Sequence, residues 1–125
     1  HNGYGPNLFI RSIKNNKKIK IFGKGEELRD HLYIDDLISV IILSIRFKTI
    51  GIINVSSGKL ISFYNILKLI LKLKPNSNQN IEYIKRVTPM PHNGYRPISN
   101  RLVKSLYNIK FNSVSKMLPL IYKKY

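Results

Sequence analysis

The period of the apolar positions changes along the chain, and each change marks an element. In 7–18, Leu8, Phe9 and Ile13 fall on one side of a short helix. Ile19–Phe22 reads as a short strand, and Gly23-Lys24-Gly25 as a turn by its glycine content. Segment 28–34 alternates, with Leu28, Asp30, Leu32 and Ile34 on one face and Arg29, His31 and Tyr33 on the other. That is a strand pattern, although its faces are not cleanly apolar and polar. Asp35 or Asp36 then caps a helix to about Lys48. Leu37, Ile38, Val40, Ile41, Ile42, Leu43, Ile45 and Phe47 make this helix apolar nearly all round. Such a helix is buried on most sides, against more protein than a small two-layer domain offers.

Segment 50–55 is a β-branched strand ending at Ser56-Ser57-Gly58. Ser62 caps the next helix, with Phe63, Ile66, Leu67, Ile70 and Leu73 inward and Pro75 as its stop. A polar loop over 76–80 leads to a strand at Ile81–Ile84. Pro89, Pro91 and Pro97 shape the next loop, which enters a helix capped by Ser99. A last helix starts near Ser113, with Pro119 placed to kink or break it. The strand–helix–strand–helix order predicts an α/β fold.

Composition narrows the classes. The 125 residues are 43% hydrophobic, enough for one small domain with a core. With no cysteine, disulfides and thiolate metal sites are excluded. The longest apolar run, 37–45, contains Ser39 and Ser44, well short of the roughly 18 apolar residues that a membrane helix needs. No signal peptide is visible, and a chain opening on His1 reads as processed or as a piece of something longer.

The net charge of +16 fits an acidic partner such as nucleic acid, an anionic membrane or a phosphorylated ligand. It also fits A/T-rich codons: the chain holds 20 Ile, 16 Lys and 13 Asn, and only 6 Arg. We take the codons as its main source, which makes the arginines the basic residues to explain. Lysines in this excess are also poorly suited to bidentate readout of phosphates or bases.

Most motifs dissolve on inspection. Gly23-Lys24-Gly25 lacks phosphate-loop spacing, no Gly-x-Gly-x-x-Gly occurs, and the first two glycines read best as a hairpin turn. His1, His31 and His92 have no metal-ligand spacing, so no metal is expected. Asp35-Asp36 reads as a helix start rather than an acid–base pair, and Ser56-Ser57-Gly58 as a tight turn rather than a nucleophile elbow. Arg29 and Arg96 remain, each among aromatic and turn residues. They are either solvated surface arginines or two forks converging on a diphosphate.

Read in order, three blocks resemble the NAD-dependent epimerase/dehydratase family of extended short-chain dehydrogenases. They are Asn2-x-Tyr4-Gly5-Pro6, then Ile21-Phe22-Gly23-Lys24-Gly25-Glu26-Glu27-Leu28-Arg29-Asp30 with its continuation to Leu37, then Ile53-Asn54-Val55-Ser56-Ser57-Gly58. The resemblance covers most of 1–75 and is looser beyond Ile81. It implies a Rossmann-type enzyme whose N-terminal domain holds NAD or NADP and whose C-terminal portion holds a nucleoside-diphosphate sugar. Residues 1–125 then form that C-terminal, sugar-nucleotide-binding portion, without the Rossmann domain. The resemblance makes Asn2 a substrate contact near the diphosphate and Arg29 a diphosphate ligand. It sets the Ile21-Phe22 backbone near the nucleotide base and Arg96 where a second diphosphate arginine sits. The family often has Arg-x-Gly-Asp there, whereas this chain has Arg96-Pro97-Ile98-Ser99. Asp30 and Asp36 are structural members of their block. The loop after Tyr4-Gly5-Pro6 is shorter than the family's.

The family's glycine-rich cofactor motif and its Tyr-x-x-x-Lys pair lie upstream of Asn2, so no catalytic residue is expected in this chain and, alone, it is expected to be inactive. A cytoplasmic enzyme, homodimeric at full length, completes the implication. The alternative of another class is a small basic nucleic-acid-binding module. Its scattered lysines and the absence of a recognised binding motif weigh against it.

Overall fold

The computed structural model describes residues 5–75 and 80–125. In order, the elements are α1 (Pro6–Lys14), β1 (Ile19–Phe22), β2 (Leu28–Asp30), α2 (Ile34–Arg46), β3 (Leu60–Ser62), α3 (Phe63–Leu71), β4 (Ile81–Ile84), a 3-10 turn (Pro91–Gly94), α4 (Arg101–Tyr107) and α5 (Val114–Lys124). The α/β class is as expected. The strands form two small sheets: β1 pairs β4 in parallel, Ile19 opposite Ile81, and β2 pairs β3 antiparallel, Leu28 opposite Ser62.

The core gathers where α1, α3, α5 and β1 meet. Phe9, Ile10, Ile13, Ile21, Ile66 and Ile70 are fully buried, with Leu118 of α5 against them. Each such side chain contributes roughly 1.5–3 kcal/mol by leaving water. β1 alternates between buried Ile19 and Ile21 and outward Lys20 and Phe22. That alternation holds β1 to one register against β4. Pro6 opens α1, where its missing N–H costs nothing and its fixed φ suits the helix.

Ser62 and Ser113 cap α3 and α5 as cap chemistry predicts. The Ser62 hydroxyl accepts from the Asn65 N–H at 3.1 Å, and the Ser113 hydroxyl from the Lys116 N–H at 3.3 Å. Other expectations need correction. The strand expected over 28–34 ends at Asp30. Tyr33 is the N-cap of α2, and Asp35 and Asp36 sit in its first turn, where carboxylates suit the helix dipole. α4 starts after Asn100, not Ser99; the Asn100 amide donates to the Ser56 carbonyl at 3.1 Å. Pro119 lies inside α5, and the helix continues through it. The carbonyl that it deprives of a partner belongs to exposed Ser115, within reach of water. Gly23-Lys24-Gly25 is a turn but not a hairpin, because β1 and β2 lie in different sheets.

Segment 50–55 forms no strand among the described residues: it carries its β-branched residues but pairs with nothing. Ile50 is 97% and Ile52 93% exposed. A strand is a pairing, and β propensity alone does not make one. α2 has the same character. Only Asp36 and Val40 are buried, and Ile38, Ile41, Ile42, Ile45 and Phe47 are exposed. Burial of α2 on most sides is therefore not achieved within the chain. α2 rests on α4 through the Ser44–Tyr107 hydrogen bond of 2.8 Å and stacked Phe47 and Tyr107 rings. A groove of about 570 Å³ runs between α2 and 49–55, lined by Val40, Ile41, Ile45, Ile53 and Val55 among others.

Candidate functional site

The turn after β1 sets up the charged cluster. Gly25 has φ +71°, and a Cβ there would fall 2.3 Å from Ile21 Cδ1 and 3.0 Å from the Tyr64 backbone nitrogen. Only glycine fits. The turn delivers Glu26 and Glu27 to the start of α3, where the Tyr64 N–H donates to Gly25 and the Phe63 N–H to Glu27. The Glu27 side chain is left in a buried position, 8% exposed.

Two arginines close on that carboxylate. Arg29, on β2, pairs with Glu27 Oε1; Arg86, just beyond β4, donates from Nη2 to Oε2 at 2.7 Å. Arg29 also donates from Nη1 to the Leu28 carbonyl at 2.9 Å and from Nη2 to the Pro91 carbonyl at 3.1 Å. The Arg86 guanidinium lies 5.9 Å from the Phe22 ring centroid, with Nε 4.0 Å from Glu26 Oε1. Glu26 is held below its ordinary value, chiefly by its own backbone N–H; desolvation opposes this, and the Lys24 N–H and Arg86 add to the lowering.

Arg96 enters from the other side. Leu28 and Tyr95 form a parallel bridge, so Arg29 and Arg96 each lie one residue beyond a bridged partner. Arg96 Nη1 contacts His92 Nε2 at 3.0 Å. The turn touched by both arginines is unusual: His92 and Asn93 have φ near +50°. Left-handed backbone at non-glycine residues costs about 1 kcal/mol or more each and concentrates at functional positions.

Two guanidiniums thus hold one buried carboxylate, and a third, that of Arg96, lies at the turn that Arg29 also touches. Arg29 and Arg96, far apart in sequence, share one neighbourhood. Asn2 lies outside the described residues. Ile21 is buried, its backbone engaged with β4, and Phe22 is half exposed beside Arg86. The sequence reading missed Arg86. Its only signal is that it is one of six arginines, following a strand whose partnership with β1 is invisible in sequence. Asp30 and Asp36 are structural in geometry. Asp30 accepts the Ser57 and Gly58 N–H groups, both at 2.8 Å, and Asp36 accepts the backbone and side-chain N–H groups of Asn112 at 2.8 and 2.6 Å.

Tyr-x-x-x-Lys spacing does occur once, at Tyr64 and Lys68 on α3. The lysine ammonium lies over the tyrosine ring, 5.0 Å from its centroid. That is a surface cation–π contact rather than a proton-transfer pair. A groove of about 760 Å³ lies elsewhere, between the start of α1, residues 31–35 and α5. Its wall includes His31, packed edge-on to Phe63 at 5.7 Å, whose Nε2 has no hydrogen-bond partner among the described residues. Burial pushes the His31 imidazole below its ordinary value; Arg29 adds to the shift and Asp30 opposes it.

Residues 4–56 match the model of the NAD-dependent epimerase/dehydratase family. A dTDP-D-glucose 4,6-dehydratase of Dictyostelium discoideum is 35% identical over 82 residues, which cover 58% of this chain and 19% of that protein. A UDP-glucuronate 4-epimerase of Thermodesulfobacterium geofontis is 41% identical over 66 residues, covering 52% and 20%. Among solved structures, dTDP-glucose 4,6-dehydratase of Bacillus anthracis in complex with NAD superimposes on 100% of this chain and 40% of its own, with TM-score 0.85 and 18% identity. UDP-glucuronic acid 4-epimerase of Bacillus cereus in complex with UDP-glucuronic acid and NAD gives TM-score 0.83 and 24% identity over 98% and 40%. At those identities the structures show the shared fold. The chain spans about a fifth of these curated relatives. The matched region contains Phe22 and Arg29 but neither Arg86 nor Arg96.

Proposed function

We propose that residues 1–125 form the sugar-nucleotide-binding portion of an NAD-dependent nucleotide-sugar epimerase or dehydratase. The observation that carries this is the meeting of Arg29 and Arg96 at the turn Pro91–Gly94, with Arg86 joined to Arg29 through Glu27. Planar guanidiniums suit the paired oxygens of a diphosphate. Arg29 and Arg96 are its ligands, and the family resemblance adds Asn2 as a further substrate contact. The end of β1, Ile21-Phe22, lies toward the base. Relatives complexed with UDP-glucuronic acid support the ligand class. Fixing the diphosphate sets where the sugar carbon lies, which is the chain's contribution to catalysis.

NAD supplies hydride transfer in such an enzyme. The described residues do not fit its dinucleotide. The Gly23–Gly25 turn joins β1 to β2, and Gly58 leads into β3, so neither carries a strand into a helix N-terminus. NAD binding therefore belongs to a Rossmann domain outside these residues, and no step is assigned here. The same domain would cover the apolar face of α2 and pair with 50–55. Without it the chain should neither turn over a sugar nucleotide nor hold NAD tightly. A homodimer and a cytoplasmic setting belong to the same reading. No helix among the described residues is long and apolar enough to cross a membrane. The nucleic-acid alternative is not favoured, because Arg29 and Arg86 are tied to the buried Glu27 carboxylate.

Arg29→Ala tests the reading in the full-length protein. It should weaken UDP- or dTDP-sugar binding by roughly ten- to a hundredfold, the equivalent of one charge-assisted contact. Arg29→Lys should restore only part of that. Unchanged affinity for sugar nucleotides by calorimetry would refute the assigned role.

A further inference from the structure

Glu27 is an unexpected residue at a site for an anion. A buried carboxylate repels a diphosphate and lowers the net charge of the cluster. Its geometry gives it a different task. Each oxygen takes one guanidinium: Oε1 that of Arg29 and Oε2 that of Arg86, at 2.7 Å. The three side chains are well shielded, at 10% exposure for Glu27 and 20% for each arginine. Glu27 is itself fixed by the Gly25 turn and by the Phe63 N–H on its carbonyl. Without a carboxylate between them, two guanidiniums this close would repel and separate.

We propose that Glu27 is the positioning residue of the diphosphate site, holding Arg29 and Arg86 as a preassembled pair. This rests on the sugar-nucleotide reading above. The pair uses one edge of each fork on Glu27. Among the described residues Arg29 Nε and Arg86 Nη1 make no hydrogen bond, and they remain to donate to a ligand. A phosphate group bridging both would meet donors already in place, and the side-chain entropy of ordering them would fall on folding instead of on binding. The carboxylate is then useful despite its sign: it leaves the trio at +1 while fixing where that charge sits.

The experiment compares UDP with UMP as probes of the full-length protein by calorimetry, because only UDP presents a diphosphate. Glu27→Gln keeps the size and removes the charge, placing an amide N–H₂ against one guanidinium. It should weaken UDP about tenfold and leave UMP within about threefold. Glu27→Asp keeps the charge on a shorter stem and should lose less for UDP than Glu27→Gln, again without affecting UMP. A variant that loses both probes equally, or neither, overturns the positioning role. Arg29→Ala separates this from the underlying reading. If Arg29→Ala spares UDP, the diphosphate assignment fails; if it loses UDP while Glu27→Gln does not, only the role of Glu27 fails.

Discussion

Removing the Asp30 carboxylate should damage the fold and spare the ligand. Asp30 ends β2, opposite Leu60 of β3, and its two oxygens accept the N–H groups of Ser57 and Gly58 at 2.8 Å each. A hydrogen bond to a charged group contributes about 1.5–3 kcal/mol. The two here are unequal. Ser57 is buried, so in Asp30→Ala its N–H is left without a partner, whereas exposed Gly58 turns to water. The expected loss is therefore about 2–4 kcal/mol, nearer one strong bond than two. Asp30→Asn retains one acceptor oxygen and turns an amide against the other N–H, so about half of that loss is expected. Urea titration of full-length protein followed by circular dichroism gives the change. UDP-sugar affinity, measured well below the unfolding midpoint, should stay within about threefold. A change in stability under about 0.5 kcal/mol refutes the latch. So does a large loss of affinity in a protein whose midpoint has not moved.

Two further outcomes follow from burial. His31 has its imidazole pushed below the ordinary 6.5, so the folded chain resists a proton that the unfolded chain accepts. Its contribution is complete above 6.5 and falls as pH drops toward the native value. His31→Phe keeps the edge-on contact with Phe63 and should flatten that acid-side slope in urea midpoints measured between pH 5 and 7; an unaltered slope refutes it. The uncovered face of α2 should make the isolated 125-residue chain bind a hydrophobic dye and self-associate. Ile42→Lys with Ile45→Lys should reduce dye fluorescence at unchanged helicity, and a monodisperse chain that binds no dye contradicts the exposed face.

Legibility in the sequence followed the range of the interaction. Ser62 was readable as a cap, and the neighbourhood of Ser113 as a helix start, because a cap is settled within three residues. The core face of α3 was readable because helical period is local; that of α1 was read in part, with Phe9 and Ile13 named but buried Ile10 missed. Segment 50–55 had strand chemistry and forms no strand, because pairing needs a neighbour that its own residues do not supply. Pro119 looked like a breaker because its clash is local, while packing of Met117 and Leu118 carries α5 across it. Arg29 and Arg96 could be nominated from motif and residue type. Arg86 could not, since its relation to Glu27 exists only once β4 has found β1.

The parallel pairing of β1 with β4 bears on how the charged cluster comes into being. Its strands are joined by nearly half the chain, and the Glu27–Arg86 and Arg29–Pro91 contacts span 59 and 62 residues. These are one loop closure and not three, so the entropy lost in bringing the ends together is shared. Contacts of such separation form late and slowly. The arginine–glutamate cluster is therefore a product of the final closure rather than a nucleus for it. A partly folded chain with its helices formed but β1 and β4 apart would have its arginines dispersed, and ligand could stabilise only the closed state.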